Sequence, residues 1–119
     1  MAFILLIDDR EETRELVQEI LEDEGHRVKC APDWVKGNSI IIRERPDLVL
    51  LDINMPGIKG TDILKVLKET VSHLPKIILY SGMDQQQLSQ LAQQYGADGF
   101  IQKGSNIAAF LQEIENFLD

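Results

Sequence analysis

The sequence predicts an α/β fold in which five strands form one parallel sheet surrounded by helices. The first observation is that apolar runs of strand length alternate with segments of helical periodicity, the pattern of repeated strand-helix units. The second is the length of 119 residues, which suits a single domain over residues 1–119. The third is that no linker or internal repeat interrupts this alternation.

Five segments have the length and composition of strands. They span residues 3–7, 27–31, 48–51, 76–80 and 99–102. The first and third are continuously apolar and the fourth is so after Lys76, which is typical of parallel strands that are buried on both faces. We therefore expect these three strands to lie at the centre of the sheet.

Four segments carry the apolar spacing of amphipathic helices. Their apolar positions are, in chain order, Leu16, Val17, Ile20 and Leu21; Ile63, Leu64, Leu67 and Val71; Leu88, Leu91, Ala92 and Tyr95; and Ile107, Phe110, Leu111, Ile114, Phe117 and Leu118. Gly25 and Gly96 follow two of these segments. Because glycine accepts the left-handed conformation of a helix end, we expect these two helices to end there. The last helix is predicted over about 106–118, with Ser105 as its N-cap.

The remaining segment, about 33–44, is the weakest helix prediction. Gly37 and Asn38 have poor helix propensity, and three consecutive β-branched isoleucines follow them at positions 40–42. The sequence therefore leaves two alternatives open here, a helix and an irregular or partly extended segment.

Composition excludes several classes of function. The formal net charge of −8 has the wrong sign for direct binding of nucleic acid through its phosphates. Cys30 is the only cysteine, so neither an intramolecular disulfide nor a cysteine metal cluster can form. No apolar run approaches the roughly 20 residues of a membrane span. These features predict a cytoplasmic protein without membrane insertion.

Polar side chains follow the predicted strands at the points where the strands end. Asp8 and Asp9 follow the first strand, Asp52 the third, Ser81 the fourth and Lys103 the fifth. The carboxyl ends of parallel strands lie at one edge of a sheet, so these side chains share a crevice. Three carboxylates so close would raise one another's pKa unless a cation joined them. Oxygen ligands of this kind suit Mg²⁺, with Asp9 as a direct ligand and Asp8 acting through water.

This set of side chains is suited to phosphoryl transfer. A carboxylate beside a metal ion can attack phosphorus in line, while the metal and Lys103 neutralise the equatorial oxygens. The Ser81 hydroxyl can donate a hydrogen bond to one oxygen of the bound group. The product would be an aspartyl phosphate on Asp52.

Four segments, taken in order and at their spacing, resemble the response regulator receiver domain of the stand-alone chemotaxis-regulator type: LLIDDREE, PDLVLLDINMPGIKGTDIL, IILYSG and YGADGFIQKG. The resemblance implies a flavodoxin-like doubly wound fold, with strand order 2-1-3-4-5 and five helices on the two faces. It implies these site residues: Asp52 as phosphoacceptor, Asp8 and Asp9 as the acidic pair, Asn54 as a metal ligand through its backbone carbonyl, Ser81 as switch hydroxyl, Lys103 as active-site lysine, and Phe100 as the aromatic residue whose position reports phosphorylation.

The same resemblance implies a role in a two-component phosphorelay. A histidine kinase or phosphotransfer protein would donate the phosphoryl group with Mg²⁺. The phosphorylated domain would then change its binding to a downstream protein target through the fourth helix, fifth strand and fifth helix. The chemistry would be limited to self-directed phosphoryl transfer and autodephosphorylation, so the chain is not predicted to be an enzyme in the usual sense. We expect a monomer or weak dimer.

Gly104 departs from the family pattern, which usually has proline after a cis bond at this position. The Lys103–Gly104 bond is either cis with strain or trans, in which case Lys103 enters the site along a different path. Gly82 is also unusual, since alanine is commoner after the switch hydroxyl. His26 and His73 lie away from the strand ends and are predicted to be ordinary solvent-exposed residues.

Three other functions compete with this prediction. A phosphorylation-independent interaction scaffold would tolerate the departure at Gly104. A small-molecule phosphatase or phosphotransferase would need a second acid and a substrate-capping element, and no candidate for either is visible. A flavin-binding domain of the same topology would need a phosphate-cradling first turn, where this sequence has Asp-Asp-Arg-Glu.

Overall fold

The computed structural model describes residues 1–54, 65, 67, 69 and 74–119. Its five strands are β1 (Phe3–Ile7), β2 (Arg27–Ala31), β3 (Leu48–Leu51), β4 (Lys76–Ser81) and β5 (Gly99–Gln102). All pairings are parallel and the order is β2-β1-β3-β4-β5. The predicted fold class and strand order are confirmed. The three strands with continuous apolar runs, β1, β3 and β4, occupy the centre, as their composition predicted.

Four helices lie within the described residues: α1 (Glu11–Asp23), α2 (Trp34–Glu44), α3 (Gln85–Tyr95) and α4 (Ile107–Leu118). The predicted fourth and fifth helices are therefore α3 and α4. The predicted third helix lies mostly outside the described residues, although Leu67 is helical and buried. None of the helices in the described ranges has the length and apolar character needed to cross a membrane.

Side-chain caps fix where α2, α3 and α4 begin. Asp33 and Asp84 each accept a hydrogen bond at 2.9 Å from the backbone N–H three residues further on. Asn106 accepts the equivalent bond from the N–H of Ala109 at 2.8 Å. The prediction that Ser105 caps the last helix is therefore wrong by one residue. Asparagine caps as well as serine does, and here Asn106 is the residue with the extended backbone that precedes the first turn.

The segment with the weakest helix prediction is a regular helix, α2. Its glycine has a tertiary reason, because a Cβ on Gly37 would lie 2.4 Å from Cδ1 of Ile7 in β1. The missing side chain thus allows α2 to approach the sheet, at the cost of local helix propensity. The helix ends at Glu44, and the following residue, Arg45, adopts a left-handed conformation with φ 52°.

Two buried layers, one on each face of the sheet, form the core. The face covered by α2 and α3 buries Leu5, Ile7, Ala31, Ile41, Val49, Leu51, Leu67, Ile77, Leu79, Leu88 and Ala92. The face covered by α1 and α4 buries Ile4, Leu6, Val17, Leu21, Val28, Leu48, Leu50, Ile78, Tyr80, Ile101, Phe110 and Ile114. Alternate residues of the central strands contribute to the two layers, so these strands are buried on both faces. The polar residues Asp8, Asp52 and Ser81 lie at the carboxyl ends of these buried strands.

The prediction that His26 is solvent-exposed is wrong, because its side chain is only 6% exposed. Its Nδ1 accepts a hydrogen bond from the backbone N–H of Ala2 at 3.2 Å, and its Nε2 lies 3.1 Å from Oε1 of Glu115. The imidazole therefore connects the chain before β1 to the last helix, at the edge of the sheet opposite the predicted site. His73 lies outside the described residues.

Candidate functional site

Strand register brings the polar residues together at the carboxyl edge of the sheet. Ile7 of β1 is paired with Leu51 of β3, so the residues that follow them, Asp8 and Asp52, are neighbours. The backbone N–H of Asp52 donates to the Ile7 carbonyl at 2.9 Å. On the other side of β3, the N–H of Lys103 donates to the carbonyl of Ser81 at 2.7 Å. The crevice expected from the sequence is thus formed.

Three carboxylates form the acidic part of the site. Asp8 is fully buried, Asp52 is 3% exposed and Asp9 is exposed to solvent. One oxygen from each lies within 4.8 Å of the others. The Asp8 carboxylate accepts a hydrogen bond from the backbone N–H of Arg10 at 2.9 Å, and the Arg14 guanidinium donates to the Asp8 carbonyl at 2.9 Å. These contacts hold the buried carboxylate in place.

The acidic cluster fits a hard divalent cation. Its donors are carboxylate oxygens, the preferred ligands of Mg²⁺, and they are close enough for one ion to reach all three. Because Asp9 is open to solvent, an ion held by these residues would keep part of its water shell, as Mg²⁺ commonly does.

Lys103 supplies a positive charge to the two buried carboxylates. Its Nζ lies 2.7 Å from Oδ2 of Asp8 and 3.7 Å from Oδ2 of Asp52. The bond to Gly104 is trans, and Gly104 has φ +98°, a conformation that glycine adopts without strain. Of the two alternatives for this bond the structure has the trans one, and the ammonium still reaches the site.

The carboxyl of Asp52 is more basic than an ordinary aspartate. Burial raises its pKa, the negative charges of Asp8 and Asp9 add to this, and the Asn54 N–H and the Lys103 ammonium offset part of the rise. A carboxylate in this environment carries an electrostatic cost that a further cation would relieve.

Ser81 is fully buried and its hydroxyl is held by two donors. Its Oγ accepts a hydrogen bond from the side-chain amide of Asn54 at 3.1 Å and another from the backbone N–H of Met83 at 3.1 Å. The backbone N–H of Asn54 also donates to Oδ1 of Asp52 at 2.9 Å. Asn54 therefore contacts both the central carboxylate and the hydroxyl.

Phe100 lies in β5, apart from the acidic cluster. It is partly buried and packs against the core layer on the α2 and α3 face of the sheet. This position agrees with a strand residue of the core. Its predicted role as a reporter of phosphorylation stays a prediction.

Two further residues at the site were missed by the sequence analysis. Arg14 contacts Asp8 from the first helix, as described above. Tyr80 lies beneath the lysine, with the Lys103 Nζ 5.3 Å from its ring centroid. Burial and the nearby Asp8 carboxylate raise the pKa of Tyr80 to about 12, so its phenol is neutral at physiological pH. The only sequence signal for Tyr80 was its place next to Ser81 at the end of a strand.

Comparison with known proteins identifies the family and supports the fold. The family model for the response regulator receiver domain matches residues 4–115. The chain therefore belongs to the response regulator receiver domain family, the signal-receiving module of two-component systems.

Two curated relatives have nearly the same length as this chain. Sporulation initiation phosphotransferase F of Bacillus subtilis is 30% identical over 97% of this chain and 92% of its own length. Chemotaxis protein CheY-3 of Vibrio cholerae is 29% identical over 98% of this chain and 91% of its own. In other relatives, such as the response regulator MprA of Mycobacterium leprae, the chain spans 50% of the length.

Solved structures show the same fold. The CheY-like receiver domain protein of Methanospirillum hungatei superposes with a TM-score of 0.85 at 32% identity, over 100% of this chain and 94% of that one. The chemotaxis response regulator CheY4 of Vibrio cholerae gives a TM-score of 0.88 at 25% identity, over 98% of both chains. Receiver domains are signalling domains that bind Mg²⁺ at an acidic pocket, and this chain has an acidic cluster formed by Asp8, Asp9 and Asp52.

Proposed function

We propose that this receiver domain is a phosphorylation-dependent switch whose phosphoacceptor is Asp52. The observation that supports this most strongly is the position of Asp52, buried between two other carboxylates and the Lys103 ammonium. The proposal includes a histidine kinase or phosphotransfer protein as donor and a downstream protein as target. It also includes a single domain over residues 1–119, in the cytoplasm, as a monomer or weak dimer.

The proposed reaction moves one phosphoryl group to the chain itself. A carboxylate oxygen of Asp52 attacks phosphorus, and the bond from phosphorus to the donor's histidine nitrogen breaks, with its electron pair leaving on the donor. Lys103, 3.7 Å from the attacking carboxylate, is placed to pair with a phosphoryl oxygen. The Ser81 hydroxyl would donate a hydrogen bond to another.

Asp8, Asp9 and Asp52 would hold Mg²⁺, together with the backbone carbonyl of Asn54. The bound ion would supply positive charge that neutralises the phosphoryl oxygens in the transition state. The chain's own residues orient this site: Arg10 and Arg14 fix Asp8, and the Asn54 N–H fixes one oxygen of Asp52.

The proposed signal leaves through the face formed by α3, β5 and α4. The Lys103 N–H bond to the Ser81 carbonyl connects the ends of β4 and β5, next to this face. A rearrangement of Ser81 and Lys103 around a new phosphoryl group would be passed to β5, where Phe100 lies.

The test is intact-protein mass spectrometry after incubation with Mg²⁺ and a small acyl phosphate. We expect a single base-labile phosphoryl adduct on the wild type and none on Asp52→Asn. Asp84→Asn is the matched control, since asparagine keeps the helix cap and the change lies outside the acidic cluster. A wild type that binds Mg²⁺ yet forms no adduct would favour the phosphorylation-independent scaffold instead.

A further inference from the structure

The hydrogen bonds around Ser81 leave its hydroxyl with one remaining capacity. A serine hydroxyl has two acceptor lone pairs and one proton. The side-chain amide of Asn54 and the backbone N–H of Met83 each donate to Oγ, at 3.1 Å. With both lone pairs engaged, the hydroxyl can form a further hydrogen bond only by donating its proton.

Asn54 links the hydrogen bonding of the Ser81 hydroxyl to the carboxylate of Asp52. Its backbone N–H donates to Oδ1 of Asp52 at 2.9 Å while its side-chain amide donates to Ser81. One residue therefore ties the carboxylate and the hydroxyl into a single network. Because Ser81 is fully buried, bulk water cannot readily replace a lost donor to its oxygen.

We propose that Asn54 is a positioning residue, whose side-chain amide holds the Ser81 hydroxyl as a hydrogen-bond donor toward a phosphoryl group on Asp52. This inference rests on the proposed function and gives the Asn54 side chain a role beside that of its backbone carbonyl. With its two lone pairs engaged, the hydroxyl offers only its proton to a phosphoryl oxygen when Ser81 rearranges around the new group, and this hydrogen bond favours phosphoryl uptake. The amide is essential to this role, since an ionised carboxylate in its place would accept the hydroxyl proton itself.

The test is a double-mutant cycle on the rate of phosphoryl uptake from a small acyl phosphate with saturating Mg²⁺. Asn54→Ala is expected to slow uptake about two- to tenfold, the range for one neutral hydrogen bond. In the Ser81→Ala background the same change should have no further effect, because the amide has no hydroxyl to hold. In the Ser81→Thr background, which keeps a hydroxyl, the effect of Asn54→Ala should return.

Two further measurements separate positioning from a general structural effect. Asn54→Asp should slow uptake more than Asn54→Ala, because it gives the hydroxyl a competing acceptor. In the resting protein, the side-chain amide NMR resonances of Asn54 should shift in Ser81→Ala. Unchanged resonances would overturn the inference, as would equal slowing by Asn54→Ala with and without the hydroxyl. A wild type that takes up no phosphoryl group would instead overturn the proposed function and the inference together.

Discussion

Replacing Lys103 by methionine tests whether its ammonium balances the buried carboxylates. Methionine keeps an unbranched side chain and removes the charge that lies 2.7 Å from Asp8 and 3.7 Å from Asp52. At an effective dielectric constant of about 20, the shorter contact alone corresponds to roughly 6 kcal/mol of Coulomb attraction. Part of this is offset by the hydration that the ammonium loses in the folded state. We therefore expect the free energy of unfolding to fall by about 3 to 5 kcal/mol, as when one partner of a buried ion pair is removed.

The assay is urea unfolding at neutral pH without Mg²⁺, and the chain offers a matched control. Lys29 also makes a 2.7 Å ion pair, with Glu44, but the two side chains are 44% and 26% exposed, whereas Lys103 is 23% exposed and Asp8 is fully buried. Lys29→Met should cost no more than about 1 kcal/mol, because solvent screens exposed pairs. Equal losses in the two variants would refute the argument that burial makes the Lys103 pair strong.

Replacing Lys103 by methionine should also change the affinity of the site for Mg²⁺. Without the ammonium, the carboxylate cluster has one positive charge fewer, so it should bind Mg²⁺ more tightly. Saturating Mg²⁺ should therefore raise the free energy of unfolding of Lys103→Met by more than it raises that of the wild type. If Mg²⁺ stabilised both proteins equally, the lysine and the metal would not share the same carboxylates.

Three other predictions concern stability and are checked by urea unfolding. Asp52→Asn should stabilise the Mg²⁺-free protein, because burial raises the pKa of Asp52 and the ionised carboxylate therefore destabilises the folded state. This destabilisation is complete above the folded-state pKa and is relieved as the pH falls through it. A gain from Asp52→Asn that did not shrink on acidification would contradict this. Gly37→Ala places a Cβ 2.4 Å from Ile7 and should cost about 1 to 3 kcal/mol. Gly82→Ala adds a carbon with nothing within 4 Å apart from its own chain neighbours, and should change stability by less than about 0.5 kcal/mol. His26→Leu should cost about 1 to 3 kcal/mol, because it leaves a backbone N–H without its acceptor; an unchanged stability would show that this bond contributes nothing.

The fold could be predicted because its main signal, the alternation of apolar runs and helical periodicity, is present in the local sequence. The strands β1, β3 and β4 contain continuous apolar runs, which are typical of strands buried on both faces of a parallel sheet. The helix α2 could not be predicted with the same ease, since Gly37 lowers local propensity for a reason that lies elsewhere in the chain. Only the packing of α2 against Ile7 explains that glycine.

The composition of the site was predictable for a similar reason. Topology alone places the residues that follow parallel strands at one edge, which brought Asp8, Asp52, Ser81 and Lys103 together. The contacts of Asn54 and Tyr80 were not predictable, because they depend on side-chain directions and on strand register. The burial of His26 was missed for the same reason, since its partners lie 24 and 89 residues away in the sequence.

The network that includes Asn54 also bears on how the proposed switch would respond. A phosphoryl group on Asp52 adds negative charge at the point where Lys103 already divides its charge between two carboxylates. The lysine would then shift toward the phosphoryl oxygens, and its contact with Asp8 would weaken. A ligand or modification changes a conformational equilibrium only by the difference in its interactions with the two states. Lys103 and Ser81 are also joined by a backbone hydrogen bond, so the two residues would move together. Their contacts with the phosphoryl group are the interactions by which the two states would differ.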